Sequence, residues 1–568
     1  MTYGSKQFGS ISIDWESEPV PNLGQYDSYE QARENFEWEI PKTFNIATDV
    51  VTRHADKRGR VALVQRTEDE RERTYTFWEL ERESNRIANA LEERGIDRGD
   101  RVAIMSSRSD RVMLSHLATW KTGGISVPLS VLYGTDALEF RLGDCDPQVV
   151  FVDRGLTDTL AAALADIESV DCVVGMDGEP RPIDGVETVA FSELDGESDY
   201  DAVETAADDP AFILYTSGTT GRPKGVLQDH QSLLGWLPSF QMCFELPWHD
   251  ADPFLYATPD LAWIGGINLV LGSWHYGFPA FRHDTESGFD PETVFENIEL
   301  YGPTRAVLVP GMLKPMAELD ASQYDLRSLE VIMSGSEPVS ERLHEYVMET
   351  LDANLNEMYG QTEAMHLVTS CSQWMDAEPG SLGYPAPGHD VRIIDEDGTE
   401  CDVGETGIIG LGKPDPTMFV ELWNDEKATD QKFIADEEWM NTDDLGYRDE
   451  DGQLWFKSRA DDLIITNGYR VGPAEVEDSI RELDQVAEVG VVGVNDDRRG
   501  EIVKAYVELN DGATVTEGID DTIRTHVREN LAKYEYPREI AFVDEVPTTV
   551  TGKIKRAQLE QLDVETTL

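Results

Sequence analysis

"YTSGTTGRPKGV", residues 215 to 226, sets four hydroxyl side chains (Thr216, Ser217, Thr219, Thr220), three glycines (Gly218, Gly221, Gly225) and Lys224 within twelve positions. Small residues let backbone N–H groups approach an oxyanion, and hydroxyls and an ammonium add donors and charge, so the stretch reads as a phosphate loop. It is not the common NTPase loop. That motif needs Gly-Lys followed by Ser or Thr at the opening of a helix, whereas Pro223 precedes Lys224 and Gly225 follows it. The run that feeds the loop, AFILY (211–215), is short and apolar and predicts a buried strand.

Outward from that strand the same texture recurs. RVAIM (101–105), ISVPL (125–129), QVVFVD (148–153), RAVLVP (305–310) and LEVIM (329–333) read as strands, and the stretch around Val112 to Trp120 reads as a helix. A further helix is predicted from Thr76, which can cap it with Glu79 in the capping-box position; Phe77, Leu80, Ile87 and Leu91 form its apolar stripe and Gly95 stops it. Short apolar runs separated by helices indicate a mainly parallel α/β sheet. From about Gly383 the pattern turns to β-rich pieces with acidic turns. After Arg459 a new unit begins, with a hairpin (LIITNGYRV), a helix from Pro473, strands VAEVGVVGV and EIVKAYVEL, a helix near 519–532 and a last strand. The expected architecture is therefore α/β: a large N-terminal domain (1–459) of parallel-type α/β subdomains plus a β-rich subdomain, then a small mobile α+β C-terminal domain (460–568).

Composition narrows the function classes. The chain has 568 residues, 111 of them acidic against 47 basic, a net charge of −64. Such a surface repels nucleic acid and anionic lipid. The acidic residues are spread along the whole chain, which points to adaptation to a salt-rich cytoplasm, where charges are screened within roughly 3 Å at 1 M. Only 14 of the basic residues are lysines, so Lys224, Lys553 and Lys555, all in loop-like contexts, draw notice. No apolar run reaches the roughly 18 to 20 residues of a membrane span, and the N-terminus lacks a signal-peptide pattern, so a cytoplasmic protein is expected. Five scattered cysteines without a CxxC argue against a disulfide framework or a zinc site.

Four further stretches join the glycine loop: SGSEP (334–338), YGQTE (359–363), NTDDLGY (441–447) with FKSRADDLI (456–464), and PTTVTGKIKR (547–556). In this order and spacing the chain resembles the adenylate-forming superfamily from about residue 40 onward. The texts SRADDLIITNGYRVGPAEVE and KYEYPRE are most similar to the medium-chain acyl-CoA synthetases. The resemblance implies a two-step reaction. A carboxylate attacks the α-phosphate of ATP to give acyl-AMP and pyrophosphate, and the thiol of coenzyme A then displaces AMP.

The resemblance also assigns roles. Thr216, Ser217, Gly218, Thr219, Thr220, Gly221 and Lys224 hold the departing phosphates; Gly335, Ser336, Glu337 and Pro338 line the adenine slot; Tyr359, Gly360 and Gln361 belong to the nucleotide site, with Tyr359 against adenine. Thr362 stands near the α-phosphate, and Glu363 binds Mg²⁺. Asp444 accepts the ribose hydroxyls beside Arg459, although the family usually reads Thr-Gly-Asp where this chain has Thr442, Asp443 and Asp444, so either aspartate can be in register. Lys553 is the catalytic lysine and Asp461 the hinge. Asn467, Gly468, Tyr469, Arg470, Arg499, Tyr534 and Tyr536 meet coenzyme A, with Glu535 where close relatives often carry lysine.

For the acid, Trp263 in PDLAWIGGI is a candidate pocket wall. Acetate-specific synthetases have tryptophan at the position of Gly360, so its absence implies a pocket for a longer, branched or aromatic acid. A free-standing adenylation enzyme that loads a carrier protein, a luciferase-like oxidase and an inactive nucleotide-binding protein are the competing readings. The physiological acid and homo-oligomerisation are left open.

Overall fold

The computed structural model describes residues 23–567 apart from 57–58, 68, 217–222, 249–252, 286–288, 338, 376, 461, 467–468, 484, 497–499, 511–517, 532–534 and 549–553. Two large sheets carry the N-terminal part. Among the described residues, one has eight strands, with the parallel neighbours Ile125–Pro128, Arg101–Met105, Val149–Val152 and Cys172–Gly175 at its heart. The other has nine, among them the parallel series Ala280–Asp284, Leu255–Tyr256, Arg305–Val307, Val331–Gly335 and Asn354–Tyr359. Helices Ser109–Lys121, Ser232–Cys243 and Ile264–His275 are buried nearly all round, because one continuous core joins them to strands of both sheets. The capping box forms as expected: the Thr76 hydroxyl accepts from the Glu79 N–H, and the Thr76 N–H donates to the Glu79 carboxylate at 2.8 Å.

Two local expectations are revised, and one strand is new. The strand expected at 305–310 ends at Val307, since Pro310 opens the helix Pro310–Ala317. The strand expected at 329–333 lies at Val331–Gly335. The chain that follows the glycine loop is also a strand: Lys224–Asp229 returns antiparallel to Pro210–Thr216, with Lys224 opposite Thr216. The loop thus joins a hairpin, the structural counterpart of its departure from the helix-opening NTPase motif.

The β-rich subdomain is an antiparallel sheet of Val391–Ile394, Gly407–Gly412, Trp439–Arg448 and Phe433–Ile434, with Leu454–Arg459 paired to Trp439–Arg448. The last sheet contains the expected hairpin Ile464–Thr466 and Tyr469–Val471, the strands Val486–Asp496 and Gly500–Leu509, and Glu539–Val543 parallel to Gly500–Leu509. Helices Pro473–Arg481 and Ile519–Asn530 complete that core. A final helix, Arg556–Thr567, was not anticipated. Among the described residues, ion pairs that join this unit to the rest include Lys314 with Glu488 at 3.0 Å and Lys457 with Glu475 at 3.3 Å.

Candidate functional site

Strands Val331–Gly335 and Asn354–Tyr359 run parallel side by side and deliver SGSEP and YGQTE to the same end of the nine-stranded sheet. Gly335 is required there, since a Cβ would stand 2.6 Å from the Met358 carbonyl oxygen. Ser336 follows in the left-handed region (φ 76). After Tyr359 the chain turns back: the Gln361 N–H donates to the Ala364 carbonyl at 2.8 Å and the Leu367 N–H to the Tyr359 carbonyl at 2.9 Å. Gln228, from the strand beyond the glycine loop, donates to the Thr362 carbonyl at 2.8 Å and ties the two motifs together.

Facing this turn is the strand Trp439–Arg448. Asp444 is buried and accepts hydrogen bonds from the Tyr359 hydroxyl at 2.7 Å and from the Gln361 amide. Gln361 also donates to the Thr442 carbonyl at 2.8 Å. The Arg459 guanidinium stands 3.4 Å from Asp444, across the pairing of Asp444 with Arg459. Burial, with the Asp444 carboxylate beside it, holds the Tyr359 hydroxyl well above its ordinary pKa, so it remains a donor.

The neighbouring Asp443 points elsewhere. It takes a left-handed backbone (φ 61), the conformation that explains a glycine in the family spelling. Its carboxylate holds the Lys432 ammonium at 2.7 Å, and that ammonium lies 3.8 Å from Glu363 Oε1. Among the described residues the Glu363 carboxylate accepts no hydrogen bond, and no cluster of three or more His, Cys, Asp or Glu side chains could hold a metal. Gln361 and Lys432 were not assigned these partners from sequence; only the Gln at the centre of YGQTE gave a signal.

Gly360 requires a correction. The expectation was that its missing side chain leaves room for the acid. A Cβ at Gly360 would instead meet the His366 backbone N at 2.5 Å and the Ala364 carbonyl oxygen at 3.1 Å, so the chain's own 364–366 turn fills that direction. His366 is itself left-handed (φ 60) and buried, with Nε2 2.7 Å from the Asn268 amide and its ring stacked toward Trp236 at 6.5 Å. Burial pushes its pKa down to about 3, so it is neutral. Trp263 is half-buried and stands at the N-cap position of the helix Ile264–His275, without a side-chain capping bond.

Of the remaining expectations, Thr216 ends its strand and Lys224 is exposed at the start of the next. Glu337 directly follows Ser336. Tyr536 lies against Arg528, whose guanidinium is 3.8 Å from the ring centroid, and Glu535 is buried. Ser217, Gly218, Thr219, Thr220, Gly221, Pro338, Asp461, Asn467, Gly468, Arg499, Tyr534 and Lys553 lie outside the described residues, as do the side chains of Tyr469 and Arg470.

Comparison with known proteins then decides the class. Residues 51–419 match the family model described as "AMP-binding enzyme", and residues 475–553 the model described as "AMP-binding enzyme C-terminal domain". The chain belongs to the AMP-binding enzyme family. It is 31% identical to the acetyl-coenzyme A synthetase of Bacillus subtilis, with 94% of each chain covered. It is 30% identical to the mitochondrial acyl-coenzyme A synthetase ACSM3 of Mus musculus, over 95% of this chain and 94% of that one. Among solved structures, the anthranilate CoA ligase AuaEII in complex with anthranoyl-AMP superposes with a TM-score of 0.82 at 26% identity, covering 93% of this chain and 99% of the other. The chain is thus an AMP-forming acyl-CoA synthetase, an acid–thiol ligase with the expected large N-terminal and small C-terminal arrangement. No helix among the described residues is long and apolar enough to cross a membrane.

Proposed function

We propose that the turn 359–363 and the facing strand Trp439–Arg448 form the nucleotide site, with Asp444 accepting the ribose hydroxyls, Arg459 neutralising it and Tyr359 beside the adenine. The observation that carries this reading is the convergence of Tyr359, Gln361 and Arg459 on Asp444. Asp443, turned to Lys432, is the lesser candidate for the ribose. Thr362 and the glycine loop with Lys224 bind the phosphates. Glu363 is the protein ligand for Mg²⁺. Its donor set fits: a hard carboxylate that accepts no hydrogen bond among the described residues, without a protein cage around it, suits an ion that keeps its waters and arrives on phosphates. Mg²⁺ there would neutralise phosphate charge as pyrophosphate departs.

Lys553 bridges the attacking carboxylate and the α-phosphate and stabilises charge as it builds. The unit after Arg459 then rotates about Asp461, so that Asn467 to Arg470, with Arg499, Tyr534 and Tyr536, receive coenzyme A. The acid is larger than acetate. What supports this is the absence, at 360, of the tryptophan that acetate-specific enzymes carry; the 364–366 turn fills the space beside Gly360, so the glycine itself adds no room and Trp263 is the wall to test. The spread of the −64 charge supports work in a salt-rich cytoplasm. The test is thioester formation from ATP, coenzyme A and a panel of acids from acetate to octanoate and benzoate. Specificity constants rising beyond acetate support the reading. A preference for acetate would overturn it, and a Trp263→Ala variant with an unchanged preference would remove Trp263 from the pocket.

A further inference from the structure

Asp443 occupies a backbone conformation that favours glycine, and it does so next to a buried lysine. The Lys432 side chain is only 11% exposed, and its backbone is fixed on both sides: its N–H donates to Thr429 at 3.0 Å, and its carbonyl accepts from Asn441 at 2.7 Å. Asn441 also holds Asp443, accepting from the Asp443 N–H at 2.7 Å. Between them these contacts set the Lys432 ammonium 2.7 Å from Asp443 and 3.8 Å from Glu363. The first is a direct charge-assisted hydrogen bond and the second is beyond hydrogen-bond reach.

We infer that Asp443 is a positioning residue: it diverts Lys432 from Glu363 and keeps the Glu363 oxygens available to the cation that accompanies ATP. The physical reason is competition for one carboxylate. An ammonium held at this depth seeks an anion, and Glu363 is the next carboxylate along. Without Asp443 the ammonium closes on Glu363 and occupies a lone pair that the metal needs. With Asp443 in place, the positive charge stays near the phosphates, where a strongly acidic protein has most use for it, without blocking the ligand. The strained backbone at Asp443 is thereby explained by what its side chain holds. This inference rests on the reading of Glu363 as the metal ligand.

The experiment is calorimetric titration of the full-length protein with ATP at graded MgCl₂, in constant molar KCl. It compares wild type, Glu363→Gln, Asp443→Gly, Asp443→Asn, Lys432→Met and the double variant Asp443→Gly/Lys432→Met. Glycine relieves the left-handed strain and asparagine tolerates it, so both Asp443 variants are expected to fold, and melting curves verify this. Asp443→Gly and Asp443→Asn should each raise the Mg²⁺ needed for half-maximal ATP binding by about tenfold, the size of one charge-assisted hydrogen bond. Lys432→Met alone should not raise it, and the double variant should return to the wild-type requirement. An unchanged requirement in Asp443→Gly, or a double variant as impaired as Asp443→Gly, would overturn the inference while leaving Glu363 as ligand. If Glu363→Gln itself leaves the Mg²⁺ dependence unchanged, the ligand reading fails and the inference falls with it.

Discussion

Replacing Asp444 by asparagine tests the ribose contact with little disturbance of the fold. The side chain keeps its shape, and the Tyr359 hydroxyl can donate to the amide oxygen as it did to the carboxylate. Gln361 donates to the same oxygen as Tyr359 and keeps its bond to the Thr442 carbonyl, so it need not turn. Stability should therefore change by less than about 1 kcal/mol. What is lost is charge. Two ribose hydroxyls bound by a carboxylate gain roughly 1.5–3 kcal/mol each, against about 0.5–1.5 kcal/mol for a neutral acceptor. The difference sums to about 2–3 kcal/mol, or roughly 30- to 150-fold in ATP affinity. The assay is equilibrium ATP binding and the KM for ATP in pyrophosphate exchange, both at saturating Mg²⁺, with Asp443→Asn in parallel. Asp443→Asn should stay within about twofold under those conditions, because its partner is Lys432. A larger loss in Asp443→Asn than in Asp444→Asn would refute the choice between the two aspartates.

If the C-terminal unit rotates as proposed and carries Lys553 out of the site, Lys553→Ala should abolish adenylation yet largely spare conversion of pre-made acyl-AMP to thioester; equal loss in both half-reactions, measured separately, would remove that role. Melting in dilute buffer should occur well below melting in molar KCl, because the −64 charge is then unscreened, and an unchanged midpoint would contradict a salt-rich setting. His116 is buried against Trp120 with neither ring nitrogen partnered among the described residues, and burial holds its pKa at about 3. The unfolded chain binds this proton below about pH 6.5 and the folded one does not, so stability falls as pH drops from there toward 3. His116→Phe should therefore gain about 2 kcal/mol on wild type between pH 7.5 and pH 5 in denaturant melts, and a pH-independent difference would be evidence against it.

What could be read in the sequence was local or motif-borne. The Thr76 and Glu79 capping box, the hairpin at LIITNGYRV and the buried strand AFILY depend on residues a few positions apart, and each formed. The co-ordered motifs also pointed to the family before any fold was visible. What could not be read is set by distant contacts. Lys432 meets Glu363 from 69 positions away in the chain, and no local pattern distinguishes it from other lysines. The filling of the space beside Gly360 depends on His366 adopting a left-handed backbone, which the sequence around a histidine does not announce. Asp443 shows the converse: its departure from glycine was visible in the text, but its reason needed Lys432 in place.

Acid-dependent exchange of labelled pyrophosphate into ATP, followed by addition of coenzyme A, tests the two-step reaction most directly. Exchange should require both Mg²⁺ and a carboxylic acid without coenzyme A, because acyl-AMP forms first and reversibly at the site proposed around Asp444 and Glu363. Adding coenzyme A should then release AMP and thioester in equal amounts. Exchange without an acid, or acyl-AMP that coenzyme A leaves intact while a carrier-protein thiol consumes it, would contradict an acyl-CoA synthetase.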